Sequence, residues 1–234
     1  MKSTIEDKTK LVNSVFSRVY KKYDLMNDIM SLGVHRIWKS KLIDWINPQL
    51  NQNLVDVASG TGDIAKLFSK KNNNLSQIAC VEPNDEMYFA GKSNLENFKN
   101  IKWYKAKAEK LPFKNDTYDF YTISYGIRNV SDINLSLKEA LRVLKPGGRF
   151  MCLEFSRIDN EMINLIYQKY SKIIPFVGKY IVGSSKPYDY LIKSINEFYS
   201  QDELANLIKN NGFSNVEYRN LSNGISAIHS GWKI

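Results

Sequence analysis

The sequence predicts an α/β fold: a doubly wound, mostly parallel seven-stranded sheet that ends in an antiparallel hairpin. Three observations predict it. Strand and helix signals alternate from Leu54 to Phe155. A glycine turn, Ser59-Gly60-Thr61-Gly62, joins the first strand to the first helix of that run. Near the end of the chain, two strand patterns are separated only by Ser222-Asn223, a hairpin signal.

Each element follows from its residues. Leu54, Val55 and Val57 form an apolar, β-branched run before the turn. Gly60 and Gly62 permit positive φ and a close ligand approach. Ile64, Ala65, Leu67 and Phe68 then recur at helical spacing. Residues 77–81 read as the second strand, ending at Glu82-Pro83, after which Asn84 or Asp85 caps a helix carrying Met87, Phe89, Ala90 and Leu95. Residues 101–106 and 118–124 read as the third and fourth strands. Asp132 caps a helix with Ile133, Leu137, Ala140, Leu141 and Leu144 near one face, stopped by Lys145-Pro146-Gly147-Gly148. Residues 149–155 are the fifth strand. Ser200-Gln201-Asp202-Glu203 is a capping box before Leu204, Leu207 and Ile208, and Gly212 ends that helix. Residues 216–221 and 224–229 form the hairpin. Two segments rich in aromatic and long apolar residues fall outside the sheet pattern. They are read as an N-terminal helical cap (1–50) and a helical insertion (156–199) within a single domain spanning 1–234.

Bulk properties narrow the function. A chain of 234 residues, 43% hydrophobic, can bury a sizeable core. No apolar run approaches the length of a membrane span. The start, Met1-Lys2-Ser3-Thr4-Ile5-Glu6-Asp7-Lys8, lacks the apolar core of a signal peptide, and its acids oppose a transit peptide, so the expected compartment is cytoplasmic. Cys80 and Cys152 lie in apolar strand patterns and read as buried free thiols, and two histidines do not suffice for a zinc site, so no metal is expected. The net charge of +9 is spread along the chain without a basic stripe interleaved with aromatics, so nucleic acid is not an expected partner.

The glycine turn alone leaves two cofactors open. Gly60-Thr61-Gly62-Asp63-Ile64-Ala65 fits the loose dinucleotide pattern, with alanine last, and equally the nucleoside loop of S-adenosylmethionine (SAM) methyltransferases. Asp56 and Asp63 favour SAM, since carboxylates repel a pyrophosphate and attract a sulfonium and an amino group. Glu82 ends the second strand about twenty residues past the turn, where a carboxylate accepts both ribose hydroxyls. Ser124 ends the fourth strand, at the carboxyl edge where cofactors bind.

Four segments carry a family resemblance. They are Tyr23-Asp24-Leu25-Met26-Asn27-Asp28-Ile29-Met30-Ser31-Leu32-Gly33-Val34-His35-Arg36-Ile37-Trp38; Ser124-Tyr125-Gly126-Ile127-Arg128-Asn129-Val130; Arg142 through Gly148 running on to Leu153-Glu154-Phe155-Ser156; and Gly224-Ile225-Ser226-Ala227-Ile228-His229. Together they resemble the ubiquinone/menaquinone biosynthesis C-methyltransferase family, over most of the chain from about Phe16 to Lys233. The resemblance implies a class I SAM-dependent methyltransferase fold, Rossmann-like. It implies methyl transfer from SAM to a ring carbon of a polyprenyl benzoquinol, a demethylmenaquinol, or both, without a metal. The competing function, an NAD-dependent oxidoreductase using the same turn, fits the C-terminal hairpin and Asp63 poorly. Ala58 stands where the general SAM loop has its first glycine, an alanine that this family tolerates; Ser59 stands where the family usually has glycine, and Lys107 where Asn or Asp is common.

Within this resemblance the site residues take roles. Gly60, Thr61 and Asp63 face the methionine end of SAM, with helix capping as the alternative for Asp63. Glu82 takes the ribose, Ser124 contacts the cofactor at the strand end, and the backbone around Lys107 and Ala108 contacts the adenine. Arg128 and Asn129 stand beside the expected methyl group. A ring carbon is a poor nucleophile until a neighbouring phenol loses its proton. Arg128 is expected to stabilise that phenolate or orient a water acting as base, since a guanidinium does not itself deprotonate. Tyr23, with Asp24, is expected to close over the substrate. Asp56 is expected to order the turn through backbone hydrogen bonds, and His35, His229, Asn27, Arg36 and Trp38 read as structural. A polyprenyl substrate further implies weak contact with the inner face of a membrane. Residues 163–181, where apolar and aromatic side chains are interrupted by Lys169, Lys172 and Lys179, suit such a surface. A homodimer or a quinone-biosynthesis complex is the assembly the resemblance makes expected.

Overall fold

The computed structural model describes residues 28, 31, 33–157 and 186–234. Tyr23, Asp24 and the lysine-interrupted segment 163–181 lie outside the described residues. Strand β1 (Leu54–Val57) pairs in parallel with β2 (Ile78–Val81) on one side and β4 (Tyr118–Ser124) on the other. β3 (Ile101–Tyr104) lies beyond β2, and β5 (Leu144–Phe155) beyond β4, both parallel. β7 (Ser226–Trp232) joins β5 antiparallel, and β6 (Ser214–Leu221) closes the edge against β7. The sheet order is therefore β3-β2-β1-β4-β5-β7-β6, seven strands with an antiparallel C-terminal hairpin, as the sequence predicts.

Six described helices cover the sheet: α1 (His35–Ile46), α2 (Asp63–Lys71), α3 (Asp85–Asn94), α4 (Ile133–Val143), α5 (Lys186–Asn196) and α6 (Gln201–Asn210). The predicted caps form. Asn84 accepts from Met87 N, Asp132 from Leu135 N, and Ser200 with Glu203 closes a capping box. Because side chains alternate along a strand, Leu54, Ile78, Met151 and Leu153 join α1, α2 and α5 on one face, through Trp38, Leu42, Ile64, Phe68 and Leu191. Val55, Val57, Val81, Tyr121 and Ile123 join α4 and α6 on the other, through Leu137, Ala140, Leu204 and Ile208. Strands covered on both faces read as continuous apolar runs, which β1 and β2 do apart from Asp56.

Several boundaries differ from expectation: β2 starts at Ile78, β6 at Ser214, and β7 runs on to Trp232. The third strand stops at Tyr104. Leu144 opens β5 instead of ending α4, because Lys145-Pro146-Gly147-Gly148 is carried as an irregularity in register between Tyr118 and Phe120. Gly147 N donates to Lys233 O at 2.7 Å and Lys233 N to Gly148 O at 3.0 Å, which hold that loop in the ladder. At the hairpin, Ser222, Asn223 and Gly224 all take positive φ, at 46°, 54° and 89°, so Gly224 belongs to the turn and the last strand starts at Ser226. Of the apolar residues that α3 carries, Met87 is buried, as is Gly91, while Phe89 is 65% exposed.

Candidate active site

The site lies at the carboxyl ends of β1, β2 and β4, the edge where open α/β sheets bind ligands. After Val57 the backbone curls through positive φ at Ala58 (53°), Gly60 (55°) and Gly62 (90°) before α2 starts. Gly62 is required twice over. Its φ suits glycine, and a Cβ there would stand 2.5 Å from Leu95 Cδ1. Across the turn, Gly126 lets the chain after β4 press on Ala58, whose Cβ would lie 2.5 Å from any side chain at 126. Ser59 has a structural use: its hydroxyl donates to Asp56 O at 2.6 Å and accepts from Val81 N at 3.1 Å, tying the ends of β1 and β2.

Glu82 locks the turn to β2. Its Oε2 accepts from Gly60 N and its Oε1 from Asn84 N, each at 2.9 Å. Burial pushes its carboxyl up to about 7, against the pull of those two N–H groups. Asp56 does not bond to the turn backbone as expected. Its Oδ1 accepts from the Thr122 hydroxyl of β4 at 2.7 Å, and Oδ2 has no hydrogen-bond partner. Burial raises its carboxyl to about 7 as well. At the start of α2, burial pushes the Asp63 carboxyl up. The Lys39 ammonium, 2.6 Å away, outweighs this and holds it below the usual range.

Two adjoining cavities open around the turn, and they share Ala58, Gly60, Ser124 and Tyr125. The larger is also lined by Glu82, Asn84, Met87, Lys107, Ala108, Glu109, Asn129 and Ser131. The smaller is lined by Lys39, Asp56, Thr61 and Asp63. The structure thus brings Gly60, Thr61, Asp63, Glu82, Lys107, Ala108 and Ser124 to one trough. The Ser124 Oγ is buried there without a partner. The trough suits SAM on its own chemistry. Glu82 offers acceptors at a strand end, the glycine turn leaves room for backbone approach, and Asp56, Asp63 and Lys39 place charge beside the turn.

Past Ser124 the chain makes a short 3-10 turn, Ile127–Asn129. Arg128 does not point into the trough and lines neither cavity. Its guanidinium, 5% exposed, makes an ion pair with Glu154 of β5, donates to Tyr125 O at 3.0 Å and lies over the Phe155 ring at 5.6 Å. Its Nε has no partner. Glu154, 1% exposed, also accepts from Phe155 N at 2.9 Å; burial raises its carboxyl while Arg128 opposes this. The neighbour Asn129 does face the larger cavity, and its Oδ1 accepts from the Tyr190 hydroxyl of α5 at 3.0 Å. Burial pushes that phenol up. His35 and His229 are buried, each lowered to about 4 chiefly by burial; Ser31 partners the first and Gln201 O the second. Sequence reasoning missed Lys39, Glu154 and Tyr190. For Lys39 a signal existed: it is a lysine inside the apolar stripe of α1.

The sheet order, the C-terminal hairpin and the trough define a class I SAM-dependent methyltransferase. A crystal structure of a SAM-dependent methyltransferase from Thermotoga maritima superposes with a TM-score of 0.69, covering 94% of this chain and 99% of that one. At 21% identity this likeness speaks for the fold. The chain belongs to the ubiE/COQ5 methyltransferase family, whose model matches residues 2–233. It is 50% identical, over 97% of its length and 94% of the relative's, to the ubiquinone/menaquinone biosynthesis C-methyltransferase UbiE of Rickettsia bellii. It is 51% identical to the protein of that name from Rickettsia prowazekii, over 96% and 93% of the two chains. The family resemblance read from the sequence therefore stands, and the dinucleotide reading of the turn has no support.

Proposed function

We propose that this chain transfers the methyl group of SAM to a ring carbon of a polyprenyl benzoquinol or demethylmenaquinol. The observation that carries this reading is the continuous trough. It runs from Lys107 and Ala108 past Glu82 and the glycine turn to Ser124 and Asn129, in a chain half identical to UbiE methyltransferases.

When bound, SAM supplies an electrophilic methyl on a sulfonium. The chain's residues do the rest. Glu82 accepts the ribose hydroxyls, Lys107 and Ala108 present backbone to the adenine, and Ser124 contacts the cofactor near its reacting end. Asn129 faces the substrate side, oriented by the Tyr190 hydroxyl. Arg128 acts through position. Its ion pair with Glu154 and its bond to Tyr125 O fix the 3-10 turn that carries Asn129. Tyr23 remains proposed as a cover over the substrate. Among the described residues no helix is long and apolar enough to cross a membrane. A polyprenyl tail lies in a bilayer, so the ring is presented to the trough from a membrane surface, where a net charge of +9 favours an anionic leaflet.

The test is to incubate the full chain anaerobically with SAM and short-tailed forms of both quinols, and to follow product masses. Gain of one methyl on at least one nucleus is expected, and the ratio of the two kcat/KM values identifies the preferred ring. Absence of methyl transfer to both nuclei overturns the proposal.

A further inference from the structure

Lys39 is a cation in an apolar stripe. Helix α1 turns His35, Trp38, Leu42, Ile43 and Ile46 inward, and Lys39 lies among them, 6% exposed. A buried ammonium needs a partner. Its Nζ donates to Asp63 Oδ2 at 2.6 Å, and the Asp63 side chain keeps 40% of its surface open. Both line the smaller cavity beneath the glycine turn. Asp56, 1% exposed, lines the same cavity and has one carboxylate oxygen without a partner. One ammonium, the half-open Asp63 carboxylate beside it and the buried Asp56 carboxyl therefore line the smaller cavity, while Lys107 and Ala108 line only the larger.

We infer that Lys39 and Asp63 together receive the amino-acid end of SAM, with Lys39 binding its α-carboxylate and Asp63 its α-ammonium. This rests on the SAM reading of the trough. A zwitterion carries one charge of each sign on neighbouring atoms, and a side-by-side Lys–Asp pair is its complement. When the zwitterion enters, each protein charge exchanges one partner of opposite sign for another, or shares it. No buried charge is left alone at any stage, which limits the desolvation cost. The competing role for Lys39 is a strut that ties α1 to α2 and has no contact with ligand.

A panel of three ligands separates the two roles. Calorimetry on the full chain measures S-adenosylhomocysteine, decarboxylated SAM and 5′-methylthioadenosine. Relative to SAM the second lacks only the carboxylate, and the third lacks the whole amino-acid end. Lys39→Met keeps the length and apolar body of the side chain. It is expected to weaken S-adenosylhomocysteine about tenfold or more, as loss of a charge-assisted contact does, and to leave the other two within about twofold. Lys39→Gln carries the same expectation and serves if Lys39→Met does not fold. Equal losses for all three ligands, or no loss for any, overturn the assignment while wild-type binding upholds the SAM reading. A wild-type chain that binds none of the three overturns that reading and the assignment with it.

Discussion

Arg128→Ala is expected to destabilise the protein by about 3–5 kcal/mol, because it leaves Glu154 charged, buried and alone. The pair lies between the 3-10 turn and β5, with 5% and 1% of the two side chains exposed, so water cannot replace the guanidinium. The loss depends on pH. Burial already raises the Glu154 carboxyl, and removing Arg128 takes away the charge that opposed the rise. A group raised in the folded state contributes stability below its unfolded value and loses it as pH rises through the folded value. The defect is therefore smallest at and below the ordinary carboxylate range and grows as pH rises above it. Replacing both partners by apolar residues, Arg128→Met with Glu154→Met, is expected to recover most of the stability, since neither charge is then stranded. Turnover is not expected to recover, because the turn that carries Asn129 loses its anchor. Urea unfolding at several pH values measures the first effects and a methyl-transfer assay the last. A single variant as stable as wild type at pH 8 contradicts the role given to the pair.

Glu82→Ala is expected to weaken SAM binding by about 1–3 kcal/mol, through the loss of charge-assisted bonds to the ribose. It also frees Gly60 N and Asn84 N, so the turn loses its tie to β2. The Glu82 carboxyl titrates near 7, and its ionised form is the better acceptor. Wild-type affinity is therefore expected to rise as pH passes through about 7. The stability of the unliganded protein moves the other way, falling as pH climbs from about 4.5 to about 7. Glu82→Gln, which cannot ionise, is expected to remove the affinity trend and to lessen the stability trend, part of which Asp56, also raised to about 7, retains. Calorimetry across this pH window reads them, and unchanged SAM affinity in Glu82→Ala takes Glu82 out of the site.

Much of this was legible in one dimension because it depends on local chemistry. Alternating apolar runs and helical spacings set the sheet. Gly60 and Gly62 marked the turn, and the distance from there to Glu82 marked the second strand end. Caps at Asn84, Asp132 and Ser200 are short-range hydrogen bonds, and they form as read. What the sequence hid was direction across the fold. Arg128 follows β4 as expected, yet whether its side chain turns toward the trough or toward β5 depends on Glu154, twenty-six residues away. Lys39 and Asp63 are twenty-four residues apart and meet only because α1 crosses α2. Tyr190 reaches Asn129 from α5, across sixty-one residues. The hairpin turn was misjudged because three successive left-handed residues, two of them not glycine, lengthen it.

The central claim is that the trough moves a methyl group from SAM onto a ring carbon. The most direct measurement supplies SAM labelled with carbon-13 at the methyl, together with a short-tailed demethylquinol, and locates the label in the product by NMR. A labelled methyl correlated to ring carbons is the predicted result. A label on a quinol oxygen, or a product with no label, would contradict the account.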